Sequence, residues 1–138
     1  MMKEMLREKR DPLLIFHGLQ VWQKARILAK HIYTTTQNFP PEEERGLTAQ
    51  LRSTAISLVS TLAGGSAKRS AREFVRHINL AFGYLAEMDA QTIIAGDLQY
   101  ISPVQVKYIE EMISEIGRML NSFQTGLNKT IKAEIIEQ

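Results

Sequence analysis

The run SAREFVRHINLAFGYLAEMDAQTIIAGD, Ser70 to Asp97, places Phe74, Ile78, Ala81, Leu85, Met88 and Thr92 at three- and four-residue intervals. At about 100 degrees per residue these side chains fall on one stripe. The spacing predicts a helix from Ser70 to about Ala95, the longest of the chain, closed by Gly96-Asp97. The apolar surface is wider than one core face requires. Val75 and Phe82 lie on one flank of the stripe, and Leu80 and Tyr84 on the other, where the surface helix of a monomer is polar. Burying a large apolar side chain contributes about 1.5–3 kcal/mol, so these four residues are expected to form the interface of a symmetric oligomer. The plainer alternative is that they are isolated exposed residues or are covered by the N-terminal segment.

Three more segments share the helical period, and none alternates as a half-buried strand does. In LQVWQKARILAKHIYTTTQ, residues Val21, Trp22, Ala25, Leu28, Ala29, Ile32 and Tyr33 share a face, and Pro40-Pro41 block continuation. The next helix is expected from about Glu42 to Ala63, with Glu42, Glu43 and Glu44 favouring the dipole of its first turn and Gly64-Gly65 ending it. The last opens with Ser102 as N-cap and Pro103 at the first helical position, then carries Val106, Ile109, Met112, Ile113, Ile116, Leu120, Phe123 and Leu127. Four long helices with short connections predict an all-α, antiparallel up-down four-helix bundle. A chain of 138 residues makes this one domain over residues 1–138, with residues 1–12 and 130–138 too poor in apolar side chains to pack firmly.

The totals exclude more than they identify. With no cysteine there is no disulfide, thiolate metal site or cysteine nucleophile, and a reducing cytoplasm suits the chain. The apolar run Leu13 to Phe16 is too short for a signal peptide, and no segment spans a membrane. A net charge of +2 is mild, so distribution matters more than the total.

One corner is crowded. In GSAKRSAREFVRH, Gly65 to His77, the cations Lys68, Arg69, Arg72 and Arg76 stand at a helix start, on the side away from Phe74, Ile78 and Leu85. Cations there oppose the dipole by about 0.3–1 kcal/mol each when exposed, and like charges at i,i+4 cost about 0.2–0.5 kcal/mol. A phosphate reverses the sign, because it favours helix-start amides and accepts charge-assisted hydrogen bonds from arginine. Repeated around an oligomer axis, the stripe becomes a band fit for a polyanion. Lys24, Lys30, Arg45, Arg52, Lys107 and Arg118 are spread among acids and read as solvated surface, with Arg45, Arg52 and Lys107 as additional candidates for phosphate contact. The competing reading of the corner is a solvated face, or pairing with Glu42 to Glu44 of a neighbouring subunit. No motif for reading bases is present.

Catalytic patterns are missing. No Glu-x-x-His pair of a di-iron bundle, nucleophile elbow or phosphate loop occurs. Glu73 and His77 are four apart at an exposed helix start and read as surface residues. The hydroxyls Ser53, Thr54, Ser57, Ser60 and Thr61 lack a base and suit close helix contacts. Glu87 and Asp89, in an apolar stretch, are expected to pair with an arginine such as Arg52 or one from a neighbouring subunit. The chain reads as non-enzymatic, with no cofactor and no metal.

Three segments, LQVWQKA (Leu19 to Ala25), FPPEEERGLTAQLRSTAISL (Phe39 to Leu58) and AKRSAREFVRHINLAFGYLAEMDAQ (Ala67 to Gln91), carry a resemblance. In this order and spacing they resemble the four-helix-bundle family named after proteins encoded in intervening sequences of 23S ribosomal RNA genes. The most specific pieces are the Val-Trp pair, Gly-Leu-Thr-x-Gln-Leu-Arg and the Leu85 to Glu87 triplet. More distantly the chain is similar to accessory proteins of diversity-generating retroelements. The resemblance implies a ring-like homopentamer of four-helix subunits with a basic surface, associated in the retroelement branch with nucleic acid and a reverse transcriptase. Where the family commonly has Ser-Ile-Pro-x-Asn-Ile-Ala-Glu-Gly, this chain reads SLVSTLAGG, with Val59 for proline, Thr61 for asparagine and Gly64 for glutamate. Loss of the proline should straighten the second helix, and loss of the glutamate should leave the Lys68–Arg69 corner more positive. Two functions follow: an oligomer that binds nucleic acid through phosphate contacts, as accessory to a reverse transcriptase or to ribosomal RNA, or an oligomeric scaffold for another protein with no nucleic-acid role.

Overall fold

The computed structural model describes residues 11–137. Four α-helices are present among them: α1 (Gln20–Thr36), α2 (Leu47–Ser66), α3 (Ala71–Asp97) and α4 (Pro103–Glu137). Two 3-10 segments, Pro12–Gly18 and Pro41–Glu43, complete the secondary structure, and no strand occurs among the described residues. The all-α expectation holds. Helix α1 packs on α2 and α4, and α3 packs on α2 and α4, a bundle-like arrangement around one core. Leu28, Leu58, Ile78, Met88, Ile109, Ile116 and Leu120 are fully buried at its centre.

The cross-helix contacts run in a consistent sense. Lys24 meets Glu115 while His31, two turns on, stacks edge-on against Tyr108. Likewise Phe74 packs against Phe123, Asn79 accepts from Gln124, and Gly96 lies beside Val106. The indole Nε1 of Trp22 donates to the Val59 carbonyl at 3.0 Å. Residues Ile15 and Leu19, in and after the first 3-10 segment, are buried against the core.

Several boundaries differ from the sequence expectation. Glu42 and Glu43 belong to the separate 3-10 turn, and α2 starts only after Gly46. The acidic run therefore lies ahead of the helix and outside its first turn. Tyr100 donates to Glu43, and partial burial followed by the Glu43 charge pushes its phenol above the usual range. Gly64 and Gly65 lie inside α2, which continues to Ser66. A Cβ on Gly65 would stand 2.6 Å from His77 Cβ and 3.1 Å from Phe74 Cδ1, so this glycine is there for close helix approach. Helix α2 runs through Val59 without interruption. The longest helix is α4, with 35 residues against 27 for α3. It continues through residues 130–137, where only Ile131 is partly buried, while residues 1–10 lie outside the described residues.

Two glycine substitutions separate packing from propensity. Gly65→Ala should lower stability by about 1–3 kcal/mol, because the clash is with the base of the His77 side chain and cannot be relieved by a rotamer. Gly126→Ala, which meets nothing within 4 Å, should raise it by about 0.5–1 kcal/mol. Chemical denaturation reads both, and a gain at Gly65 would contradict the close contact.

Candidate nucleic-acid interface

The connection from Ala67 to Ser70 joins α2 to α3, and its chemistry is set by how both helices end. At the α2 end, the Ala67 amide donates back to Ala63, and the Ser66 hydroxyl donates to the same carbonyl at 2.7 Å. At the α3 start, Ser70 is in extended conformation and its side chain accepts from the Glu73 amide at 3.4 Å. Lys68 and Arg69 thus sit outside both helices, fully in solvent, with Arg72 and Arg76 exposed in the first two turns of α3. The expected Lys68–Arg72 helical pair does not form, because Lys68 precedes the N-cap.

Charge matching within this corner is incomplete. Arg76 Nη1 contacts Glu73 Oε1 at 3.2 Å, an i,i+3 pair with both side chains largely exposed, so it contributes little. Lys68, Arg69 and Arg72 have no carboxylate partner among the described residues. Glu42 to Glu44 do not approach them within the subunit, since a whole length of α2 intervenes. A shallow hollow of about 240 Å³ beside the corner is lined by Glu73, Arg76, His77, Asn79 and Leu80. His77 is fixed there by Nδ1 at 2.8 Å from the Glu73 carbonyl.

The other candidate cations stand elsewhere. Arg45 precedes α2 and Lys107 lies in the second turn of α4, both at the opposite end of the bundle and both exposed. Twenty helical residues separate Arg45 from Lys68, about 30 Å at 1.5 Å per residue. Arg52 is engaged within the chain. Its Nε donates to Thr36 Oγ1 at 2.8 Å, its Nη2 to the Tyr33 carbonyl at 3.3 Å, and its guanidinium lies 4.8 Å from the Tyr33 ring centroid. A cation at the C-terminal end of α1 is favoured by the dipole. Sequence reasoning passed over Lys129 and Lys132. Phe74 packs against Phe123, so the last turns of α4 run on past the α2–α3 connection and carry both lysines beyond it, exposed.

The apolar flanks are only partly open. Val75, Phe82 and Tyr84 are partly buried and packed against the core, whereas Leu80 is 54 % exposed. Of the four, Leu80 is the one that stands largely clear of the subunit's own packing.

The carboxylates of α3 do not meet Arg52. Asp89 faces Glu110 of α4, and the hydrogen bond between them, then burial and the Asp89 charge, hold Glu110 above the usual carboxylate range. Asp89 Oδ1 is buried with no hydrogen-bond partner among the described residues. No three His, Asp or Glu side chains converge on a metal position among the described residues. No helix among them is long and apolar enough to cross a membrane.

The family model described as 23S rRNA-intervening sequence protein matches residues 17–122. A solved structure from Bacteroides thetaiotaomicron VPI-5482, described as a protein with unknown function from the S23 ribosomal protein family, shares the fold. It is 20% identical, with a TM-score of 0.67 over 75% of this chain and 97% of that one. No curated protein matches the chain.

The Asp89–Glu110 pair sets a pH dependence. The folded value of Glu110 lies above its ordinary 4.5, so the stabilisation is complete below that pH and is lost as pH rises through the raised value. Asp89→Asn should raise the melting temperature by a few degrees at pH 7 and by less at pH 4. An equal shift at both pH values would rule out the coupling between the two carboxyl groups.

Proposed function

The chain belongs to the 23S rRNA-intervening sequence protein family, and we propose that it is a non-enzymatic, oligomeric bundle that binds the phosphate backbone of nucleic acid. The subunit is an antiparallel up-down four-helix bundle, supported by the opposite sense in which the α1–α4 and α3–α4 contacts progress. Copies assemble as a ring-like homo-oligomer, a pentamer by resemblance, in the cytoplasm. The nucleic acid is ribosomal RNA or the template of a partner reverse transcriptase.

One observation carries this reading: Lys68, Arg69 and Arg72 are exposed together at a helix start with no carboxylate partner among the described residues. Arg72 in the first turn of α3 opposes the dipole of that helix, and an anion at the turn would accept charge-assisted hydrogen bonds from all three cations. Arg76 adds reach once Glu73 releases it, and Lys129 and Lys132 extend the positive surface. Arg45, Arg52 and Lys107, a bundle length away, fall outside this compact patch. Phosphate contact by lysine and arginine without base readout gives low sequence specificity and strong salt dependence.

Fluorescence anisotropy on single-stranded RNA and duplex DNA across a salt series tests this. Three contacts per subunit predict that log K falls against log salt with a slope of about −2 to −3 per engaged subunit. Arg69→Glu with Arg72→Glu should abolish binding, and Arg45→Glu should leave most of it. Unaltered binding in the double variant would move the site, and no binding at low salt would favour the protein scaffold.

A further inference from the structure

Helices α1 and α2 hold Lys24, Arg26, Lys30 and Arg52 and not one Asp or Glu. Their combined charge exceeds the net +2 of the whole chain, so the balancing acids stand on other elements. Cations that read along the sequence as spread among acids thus share these helices with none. At about 100 degrees per residue, Trp22, Arg26, Lys30 and Tyr33 fall within about 80 degrees of one another on α1. This flank faces α2, because Trp22 donates to the Val59 carbonyl at one end and the Tyr33 carbonyl accepts from Arg52 at the other. The groove between those contacts spans eleven residues of α1, about 16 Å. Arg26 and Lys30 are exposed along it, as is Ile56, one turn from Arg52 on α2. Two guanidiniums lie over rings here: Arg26 Cζ is 5.9 Å from the Trp22 centroid and Arg52 Cζ is 4.8 Å from that of Tyr33. An arginine resting on an aromatic ring keeps its outer face for stacking and its N–H edge for phosphate. Neither Arg26 nor Lys30 has a carboxylate partner among the described residues, and Arg52 Nη1 has no partner among them.

We propose that the α1–α2 groove binds unpaired bases of a single nucleic-acid strand, which stack on the guanidinium faces of Arg26 and Arg52 while Lys30 holds the phosphate between them. This rests on the nucleic-acid reading above and gives it a substrate class, single strand over duplex. Bases inside a duplex are stacked on one another and offer only their edges, whereas every unpaired base offers a face. Arginine planes accept such faces as aromatic rings do. The groove also leads to the basic turn. Its Trp22–Val59 end is the C-terminal end of α2, and Lys68 follows two residues after Ser66. Exposed His17 lies at that end, its ring centroid 6.3 Å from that of Trp22, and Asp11, ahead of the same 3-10 segment, is engaged by the Leu13 amide. From Arg52 to Lys68 the path follows sixteen residues, about 24 Å along α2. The turn anchors phosphate, and the groove extends the contact. An anionic membrane is the poorer match, because a helix lying on lipid turns its aromatic and aliphatic side chains outward, and here Trp22 is half-buried under Arg26.

Emission from Trp22, the one tryptophan of the chain, reads the groove directly. An oligouridine of about twelve nucleotides, within the range that one binding groove covers, should quench it saturably at the midpoint seen by anisotropy. Duplex DNA should bind without quenching. Arg26→Glu with Lys30→Glu, both at exposed positions, should keep the helical circular dichroism. This double variant should raise the midpoint for the long oligouridine at least tenfold and reduce its salt slope by about 1.4, from two contacts at about 0.7 each. Duplex DNA and an oligouridine of about four nucleotides, held by the turn alone, should bind the variant within about twofold of wild type. A wild type that binds the long strand with Trp22 emission unchanged, or a double variant of unchanged affinity, removes the groove and leaves the turn as the site. Equal loss on duplex DNA makes the groove a general positive field and overturns the preference for single strands. Quenching by phosphatidylserine vesicles and not by oligouridine contradicts the proposal in favour of a membrane surface. Absence of binding to any nucleic acid removes this inference and the nucleic-acid reading together.

Discussion

Helices α2 and α3 meet where Gly65 lies flat against Phe74 and His77, and the geometry of the basic corner follows from that contact. With no side chain at residue 65 the two backbones close up, and the four residues from Ala67 to Ser70 suffice to reverse the chain. Ser66 and Ser70 satisfy groups on either side of the reversal, so Lys68 and Arg69 are left with no structural duty and point into water.

Charge is segregated over the bundle in a way that matches this division of labour. Helix α1 holds Lys24, Arg26 and Lys30 with no acid, α4 is rich in both signs, and α2 has Arg52 alone. The one inter-helix ion pair among the described residues, Lys24 with Glu115 at 3.3 Å, joins α1 to α4. On α3, Glu87 is the one charge among the exposed positions between Asn79 and Gly96.

Much of the fold was legible because its signals are local. Pro40 and Pro41 end the first helix region, Ser70 caps α3, and Ser102 caps α4 by accepting from Gln105 while Gln105 Oε1 accepts from the Ser102 amide at 2.8 Å. The core stripe of α3, from Phe74 to Thr92, is buried throughout. What escaped depends on neighbours distant in sequence. Gly64-Gly65 has the composition of a helix stop, yet Gly65 answers to His77, and the acidic run at Glu42 was displaced into its own turn. Arg52 looked available to Asp89, but Thr36 and the end of α1 hold it, which leaves Asp89 facing Glu110. At the site, Lys68, Arg69, Arg72 and Arg76 were visible as a cluster because they fall within nine residues of the chain. Arg45 and Lys107 could not be sorted from them by sequence, since only the run of α2 shows that they lie at the far end, and Lys129 and Lys132 join the corner only because α4 overshoots the turn.

Hydrogen exchange with and without a short oligouridine is the most direct measure of the central claim, because it reports where phosphate contact falls on the unmodified chain. Slowed exchange is expected in peptides spanning residues 66–77, with smaller protection near residues 127–133 and none around residues 42–46 or 103–108. Protection confined to those last two segments, or none at saturating oligonucleotide, would contradict phosphate binding at the α2–α3 turn.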